Sequence, residues 1–420
     1  MTYSGSGSSG SPLRFCCFST SRKKTDRRCT AKAFKIRPAV CRRRRKEAWE
    51  MYTVLYVVST LGRSGPTGQL HNLITNLSGH FRAQVLTLSK EPEDSLIGRF
   101  EASGIEVHTL GLSRVESLLS GKKRLGQYIT EFQPDAVHTQ GIRADSLVAS
   151  LRLPNHICTV RNDPHEDYLM KFGPLKGRIM ARQHVQAVRR IPHPVACSET
   201  LARCFREKDI GLFLSSIQNG VNAALYEVPT DDQRKKARRN LGLPEDAIVF
   251  VSVGSLIKRK DPLRLIDAFM EIPGEDRVLL MVGDGPLRKD CEARSISDNR
   301  IVFTGQTSKV AACLTASDVF VSVSLSEGLP NTVLEAMAAG LPVCLSRIGP
   351  HEEILRLGPD AGVLVEPGNT GEICRALLEL EAAKEARAGA PRRLIDVHLS
   401  AGRMSERYQT KYLEIIEGCG

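Results

Sequence analysis

Two glutamates, Glu327 and Glu335, stand eight residues apart in the segment SLSEGLPNTVLEAMAAGLPV. The residues just before them, DVFVSVSL (318–325), are apolar, β-branched and few, the pattern of a buried parallel strand. Gly328-Leu329-Pro330-Asn331 reads as a tight turn, and a helix is expected from about Thr332 to a left-handed stop at Gly340, with Pro342 just beyond. Strand, tight loop and helix N-terminus form an arrangement in which free backbone N–H groups and the helix dipole attract a phosphate. One glutamate falls at the strand's end and the other one to two turns into the helix, so both can flank one ligand. Beside an anion, a carboxylate is useful as an acceptor for sugar hydroxyls. The expected ligand is therefore a nucleotide sugar. Taken alone, the pair also fits a loop charge and a solvated helix residue. Against that, Glu335 sits among Ala, Met, Val and Leu, a poor setting for a carboxylate without a partner.

The stretch resembles the donor-site signature of retaining glycosyltransferase family 4, in which E-G is followed by six residues and then E-A-M-A-x-G-x-P-V. Here Glu327-Gly328, Glu335-Ala336-Met337-Ala338, Gly340 and Pro342-Val343 fill those places. The resemblance covers roughly residues 51–418 and implies the GT-B architecture of two Rossmann-like domains. It also implies that Glu335 holds ribose hydroxyls, that Glu327 holds the transferred sugar, and that Lys260 in VGSLIKRKDP meets the donor diphosphate. Five residues before that lysine the family often has arginine, and here Ser255 stands, which cannot grip phosphate bidentately. Lys258 or Arg259 could substitute for that arginine, although Arg259 reads first as a solvated surface residue.

By the same resemblance, Gly65 in GRSGPTGQL belongs to a glycine-rich first loop that approaches the transferred sugar and phosphate. Its glycines, Gly62, Gly65 and Gly68, do not have the dinucleotide-binding spacing, and a plain strand-to-helix turn is the other reading. Gly283-Asp284-Gly285-Pro286 either underlies the nucleotide or is only a turn. Where many family members keep a histidine after the strand HICTV, this chain has Arg161-Asn162, with His165 three residues on. Arg161 is accordingly assigned to charge developing between donor and acceptor, and His138 to a structural role. The expected catalytic set is Lys260, Glu327 and Arg161. The expected donor set is Gly65, Ser255, Lys260, Glu327, Gly328, Leu329, Pro330, Asn331, Thr332 and Glu335.

The resemblance implies transfer of a hexose-type sugar by same-face attack, to a glycan or lipid-linked acceptor in cell-surface polysaccharide assembly. No D-x-D metal motif is evident, and neither a metal nor a cofactor is expected beyond the donor substrate. A nucleotide-sugar epimerase of the same fold and a non-catalytic glycan-binding relative are the alternatives.

These residues need a scaffold. From Met51 the chain alternates β-branched runs (TVLYVVST, QVLTLS, EVHTL, DAVHTQ, HICTV, PVACS) with helical patterns. After a charged stretch a second series follows: AIVFVSVGS, RVLLMVGDG, RIVFTG, DVFVSVSL, PVCLSR. Such alternation predicts α/β doubly wound sheets, an acceptor-side domain over 51–221 and a donor domain over 222–400. A C-terminal helix over 401–420 is expected to cross back. Ligands of such sheets bind at the carboxyl ends of the strands, where Gly62–Gly68, Gly254–Lys260, Gly283–Pro286 and Glu327–Asn331 all fall.

The net charge of +12 suggests nucleic acid until it is located. Residues 1–46 hold 14 of the basic residues against the single acid Asp26, which leaves 45 basic and 46 acidic residues for the rest. The body is neutral, and no nucleic-acid partner is expected. Residues 1–50, Ser/Gly-rich and then basic, are expected to be disordered. They read as a basic arm, as an organellar transit peptide or as an artefact of early translation; the apolar core of a secretory signal is missing. Twelve cysteines lack metal spacing and read as reduced thiols, which points to a cytoplasmic setting. Residues 168–191 interleave six basic residues with Leu, Met, Ile and Val, either a solvated face or a peripheral contact with anionic membrane at its inner face.

Overall fold

In the computed structural model, residues 51–418 are described, and the basic segment 1–50 lies outside them. Seven strands form the first sheet: β1 (Tyr52–Val58), β2 (Phe81–Thr87), β3 (Glu106–Thr109), β4 (Ala136–Gln140), β5 (His156–Val160), β6 (His193–Ala196) and β7 (Ser215–Ser216). Six form the second: β8 (Ile248–Val253), β9 (Arg277–Val282), β10 (Ile301–Gly305), β11 (Val319–Ser322), β12 (Val343–Ser346) and β13 (Gly362–Val365). The orders are β3-β2-β1-β4-β5-β6-β7 and β10-β9-β8-β11-β12-β13. Every pairing between these strands is parallel, for example Val54 with Ala136 and Phe320 with Val343.

The doubly wound expectation is thereby met. The central strands are buried on both faces, Val54 to Val57 and Val319 to Val321 being fully covered, which is why they appear as unbroken apolar runs. Two strands were not foreseen. β7 has two residues, and β13 is a four-residue edge strand whose middle residues are half-buried.

Both sheets reverse their winding between one pair of strands, β1/β4 in the first and β8/β11 in the second. Loops leaving the carboxyl ends of such a pair diverge and open a crevice. Each half thus offers its crevice where the sequence places its chemistry.

The chain joins the halves twice, and the two crossings pair. Val221 N donates to Leu399 O at 2.9 Å and Ala401 N to Val221 O at 2.8 Å. Gly220 is needed here, because a Cβ would lie 2.5 Å from Ser400 O. The helix Ala401–Ile416 then packs on the first sheet through Met404, Tyr408 and Tyr412. Beneath it runs a buried polar chain. Tyr56 and Tyr412 hydroxyls are 3.0 Å apart, Tyr412 meets His138 Nδ1 at 2.7 Å, and His138 Nε2 meets Thr159 at 2.7 Å. His138 is a core residue held neutral by burial, as expected of a structural histidine.

Candidate active site

The loop after β8 runs through a single tight turn, Lys258–Lys260, into Asp261, whose φ of 48° is left-handed. It is braced from below. Leu256 N donates to Asp284 O and Leu287 N to Leu256 O, both at 3.0 Å. A Cβ at Gly283 would lie 2.0 Å from Gly254 O, and one at Gly285 would lie 2.5 Å from Leu256 O. The Gly-Asp-Gly-Pro motif therefore serves as a floor for this loop. Ser255 is exposed on it.

The loop after β11 is tied to the first by Leu325 N donating to Arg259 O at 2.8 Å. Glu327 then reaches back between two cations. Its Oε1 lies 2.6 Å from Lys260 Nζ and its Oε2 lies 2.6 Å from Arg259 Nη1. Arg259 also donates to Ser326 O at 2.6 Å. Burial alone would push the Glu327 carboxyl up; Lys260 and Arg259 more than reverse that and hold it down at about 2. Such a group stays ionised and is a poor base. Arg259, which the sequence suggested was a solvated surface residue, is thus part of the cluster.

The helix that follows spans Asn331–Ala338. Its N-cap is Pro330, no side chain caps it, and no acid occupies its first turn. Leading N–H groups left without a side-chain cap, next to Lys260 and Arg259, are what an anion requires. Leu329 and Pro330 are buried, and Thr332 is half-buried. Glu335, one turn along, is hydrogen-bonded to Tyr226, and burial pushes its carboxyl up to about 7.

The first half of the chain closes against this loop. Ser64 caps the helix Gly65–Ile74, and Gly65 O accepts from Asn331 Nδ2 at 3.2 Å. A Cβ at Gly65 would lie 2.9 Å from that nitrogen. Asn219 Nδ2 donates to Leu329 O and to Asn331 Oδ1, both at 3.0 Å. Arg161 in turn donates to Asn219 Oδ1 at 2.8 Å through Nη1, and to Gln140 Oε1 through Nε and Nη2. A Cβ at Gly328 would lie 1.9 Å from Arg161 O, so only glycine permits this approach.

The structure therefore brings Gly65, Arg161, Lys260 and Glu327 to Asn331 together at one junction of loops from the two sheets. It engages the Arg161 guanidinium with two amide oxygens, so that Arg161 braces the loop after β11 through Asn219. His165 sits beside the neighbouring helix N-cap, its N–H on Asp163.

Several residues at this junction had not been singled out: Gln140, Tyr226, Asn219 and Glu353. Only Asn219 carried a local signal, an Asn-Gly pair in the linker. Glu353 spans the two halves, accepting from Glu199 N, Thr200 N and Thr200 Oγ1 at 2.9 Å each. Ser326 Oγ likewise donates to Glu166 Oε2 at 2.7 Å.

The basic stretch 168–191 falls in a helical hairpin, Pro164–Phe172 and Pro174–Val188. Ala181, Val185 and Val188 pack inward. Met170, Phe172, Leu175 and Ile179 remain exposed among the exposed Lys171, Lys176, Arg178 and Arg182. Among the described residues, no helix is long and apolar enough to cross a membrane.

Residues 233–392 match the family model "Glycosyl transferases group 1", and residues 64–211 match "Glycosyl transferase 4-like domain". The chain is 32% identical over 175 residues to the UDP-Gal:alpha-D-GlcNAc-diphosphoundecaprenol alpha-1,3-galactosyltransferase of Escherichia coli, covering 40% of this chain and 45% of that one. It is 26% identical over 269 residues to the N-acetyl-alpha-D-glucosaminyl L-malate synthase of Bacillus anthracis, covering 62% and 66%. The matches thus span less than two thirds of these relatives. The fold is similar to that of Anabaena HepE in complex with UDP-glucose, with a TM-score of 0.72 at 18% identity, covering 86% of this chain and 98% of that one.

Proposed function

Because the chain belongs to the group 1 glycosyltransferases of GT-B fold, we propose that it moves a hexose-type sugar from a nucleoside-diphosphate sugar to a glycan or lipid-linked acceptor, with retention at the anomeric carbon. One observation carries this reading. Lys260, Glu327 and a helix N-terminus free of side-chain caps meet at the switch point of the second sheet, against the Gly65 loop of the first.

The chemistry follows from the charges. As the glycosidic bond breaks, negative charge builds on the diphosphate leaving group. Lys260 and the N–H groups at Asn331 and Thr332 stabilise it, each charged contact contributing roughly 1.5–3 kcal/mol. No metal is assigned to this step. Glu335 accepts from ribose hydroxyls. Glu327 accepts from hydroxyls of the transferred sugar, and at a pKa of about 2 it does not act as the base. The acceptor hydroxyl attacks from the leaving-group side and passes its proton to the departing diphosphate oxygen, so the step needs no protein nucleophile. Arg161 positions the donor loop through Asn219.

The acceptor is assigned to the first half and the pathway to cell-surface polysaccharide or glycoconjugate assembly, which the name of the Escherichia coli relative, a galactosyltransferase of alpha-D-GlcNAc-diphosphoundecaprenol, supports. The exposed Met170, Phe172, Leu175 and Ile179, ringed by lysine and arginine, suit a peripheral contact with an anionic inner membrane face from the cytoplasm. Sedimentation with anionic against neutral vesicles checks that contact.

The reading itself is tested by incubating the enzyme with a panel of nucleotide sugars without acceptor. Slow release of free sugar from one donor is expected, because such transferases leak to water. If the chain neither binds nor hydrolyses any donor of the panel, the reading is overturned.

A further inference from the structure

Glu327 is flanked by adjacent residues of one loop, Arg259 on one oxygen and Lys260 on the other, both at 2.6 Å. The side chains are mostly buried, at 22% and 19% exposure, and the carboxylate is at 8%. Two cations against one carboxylate leave a net positive charge in the crevice, beside a helix N-terminus without a side-chain cap. One cation would suffice to hold Glu327. The second is explained if the carboxylate is a stand-in, occupying cations meant for another anion.

We propose that Arg259 is a diphosphate-binding residue, forming with Lys260 a two-cation cradle that Glu327 neutralises until the donor arrives. This rests on the donor-site reading above and deepens it, since Ser255 offers the diphosphate no charge. The guanidinium presents a planar fork of donors suited to phosphate oxygens. Its present contacts, a carboxylate oxygen and the Ser326 carbonyl, occupy one nitrogen, Nη1. When phosphate enters, Glu327 is released toward the sugar hydroxyls, so sugar recognition and diphosphate binding become linked through one ion cluster.

The linkage makes opposite predictions for the two partners. Inorganic pyrophosphate and UDP are titrated calorimetrically into the full chain and its variants. Arg259→Ala should weaken both probes at least about tenfold, with Arg259→Lys recovering part of the loss. Glu327→Gln should tighten pyrophosphate severalfold, because the competing carboxylate is gone, and Glu327→Gln with Arg259→Ala should lose that gain. Melting curves confirm that each variant is folded. If the native chain binds the probes and Arg259→Ala binds them equally well, the cradle is wrong while the donor site stands. Weaker pyrophosphate binding by Glu327→Gln overturns the stand-in role. Failure of the native chain to bind either probe overturns both the cradle and the donor site.

Discussion

Glu353 accepts both the N–H and the hydroxyl of Thr200, each at 2.9 Å, so a carboxylate from the second half caps a helix of the first. With Glu199 N and Gln218 Nε2 on its other oxygen, four donors converge on one buried group. This contact and Asn219 on Leu329 O hold the crevice closed from two sides.

Replacing Glu353 by alanine strands those donors. The chain should lose about 1–3 kcal/mol of stability, the cost of unsatisfied buried groups, and Glu353→Gln should lose less. Scattering from Glu353→Ala should show a larger radius of gyration as the halves part. An unchanged melting temperature would mean the contact is incidental.

Glu335 makes stability and binding respond oppositely to pH. Its carboxyl lies near 7 in the fold and in the ordinary glutamate range when unfolded, so the folded state holds a proton the unfolded state releases. The stability of the protonated form is fully present below the ordinary range and lost as pH rises through about 7. Ribose hydroxyls favour the ionised form, so donor affinity should rise over the same interval, with proton release. Glu335→Gln should flatten both profiles. It should weaken donor binding by about 1–3 kcal/mol and melt higher than the native chain at pH 8. Unchanged donor affinity in calorimetry would remove Glu335 from the site.

How much of this could be read from the sequence depended on range. Strands such as β1 and β11 were legible because burial on both faces leaves continuous apolar runs. The loop after β11 was legible because Glu327, Gly328 and Glu335 are local in sequence. Contacts such as Glu353 with Thr200 or Asn219 with Asn331 join residues more than a hundred positions apart, with no local mark. Arg259 carries no local mark of its place in the cluster because its partner Glu327 lies 68 residues away. Residues 168–191 were ambiguous because one stretch serves two faces: Ala181 and Val185 pack inward while Leu175 and Ile179 stay outside.

A chain beginning at Met51 should fold to the same stability and turn over at the same rate. Among the described residues, both sheets and the returning helix lie within Tyr52–Ile416. Differential scanning calorimetry of the shortened chain checks this, and a lower melting temperature would contradict it. Loss of vesicle association alone would assign residues 1–50 to targeting.

The most direct test of the account is the effect of Lys260→Ala on kcat and on donor affinity, with Lys258→Ala as control. Charge on the bridging oxygen grows only in the transition state. Lys260→Ala should therefore lower kcat at least about a hundredfold, or roughly 2.7 kcal/mol, while donor affinity changes far less. Lys258, exposed on the same turn, should be near neutral when replaced. Equal and mild effects from both substitutions would mean that the diphosphate is held elsewhere.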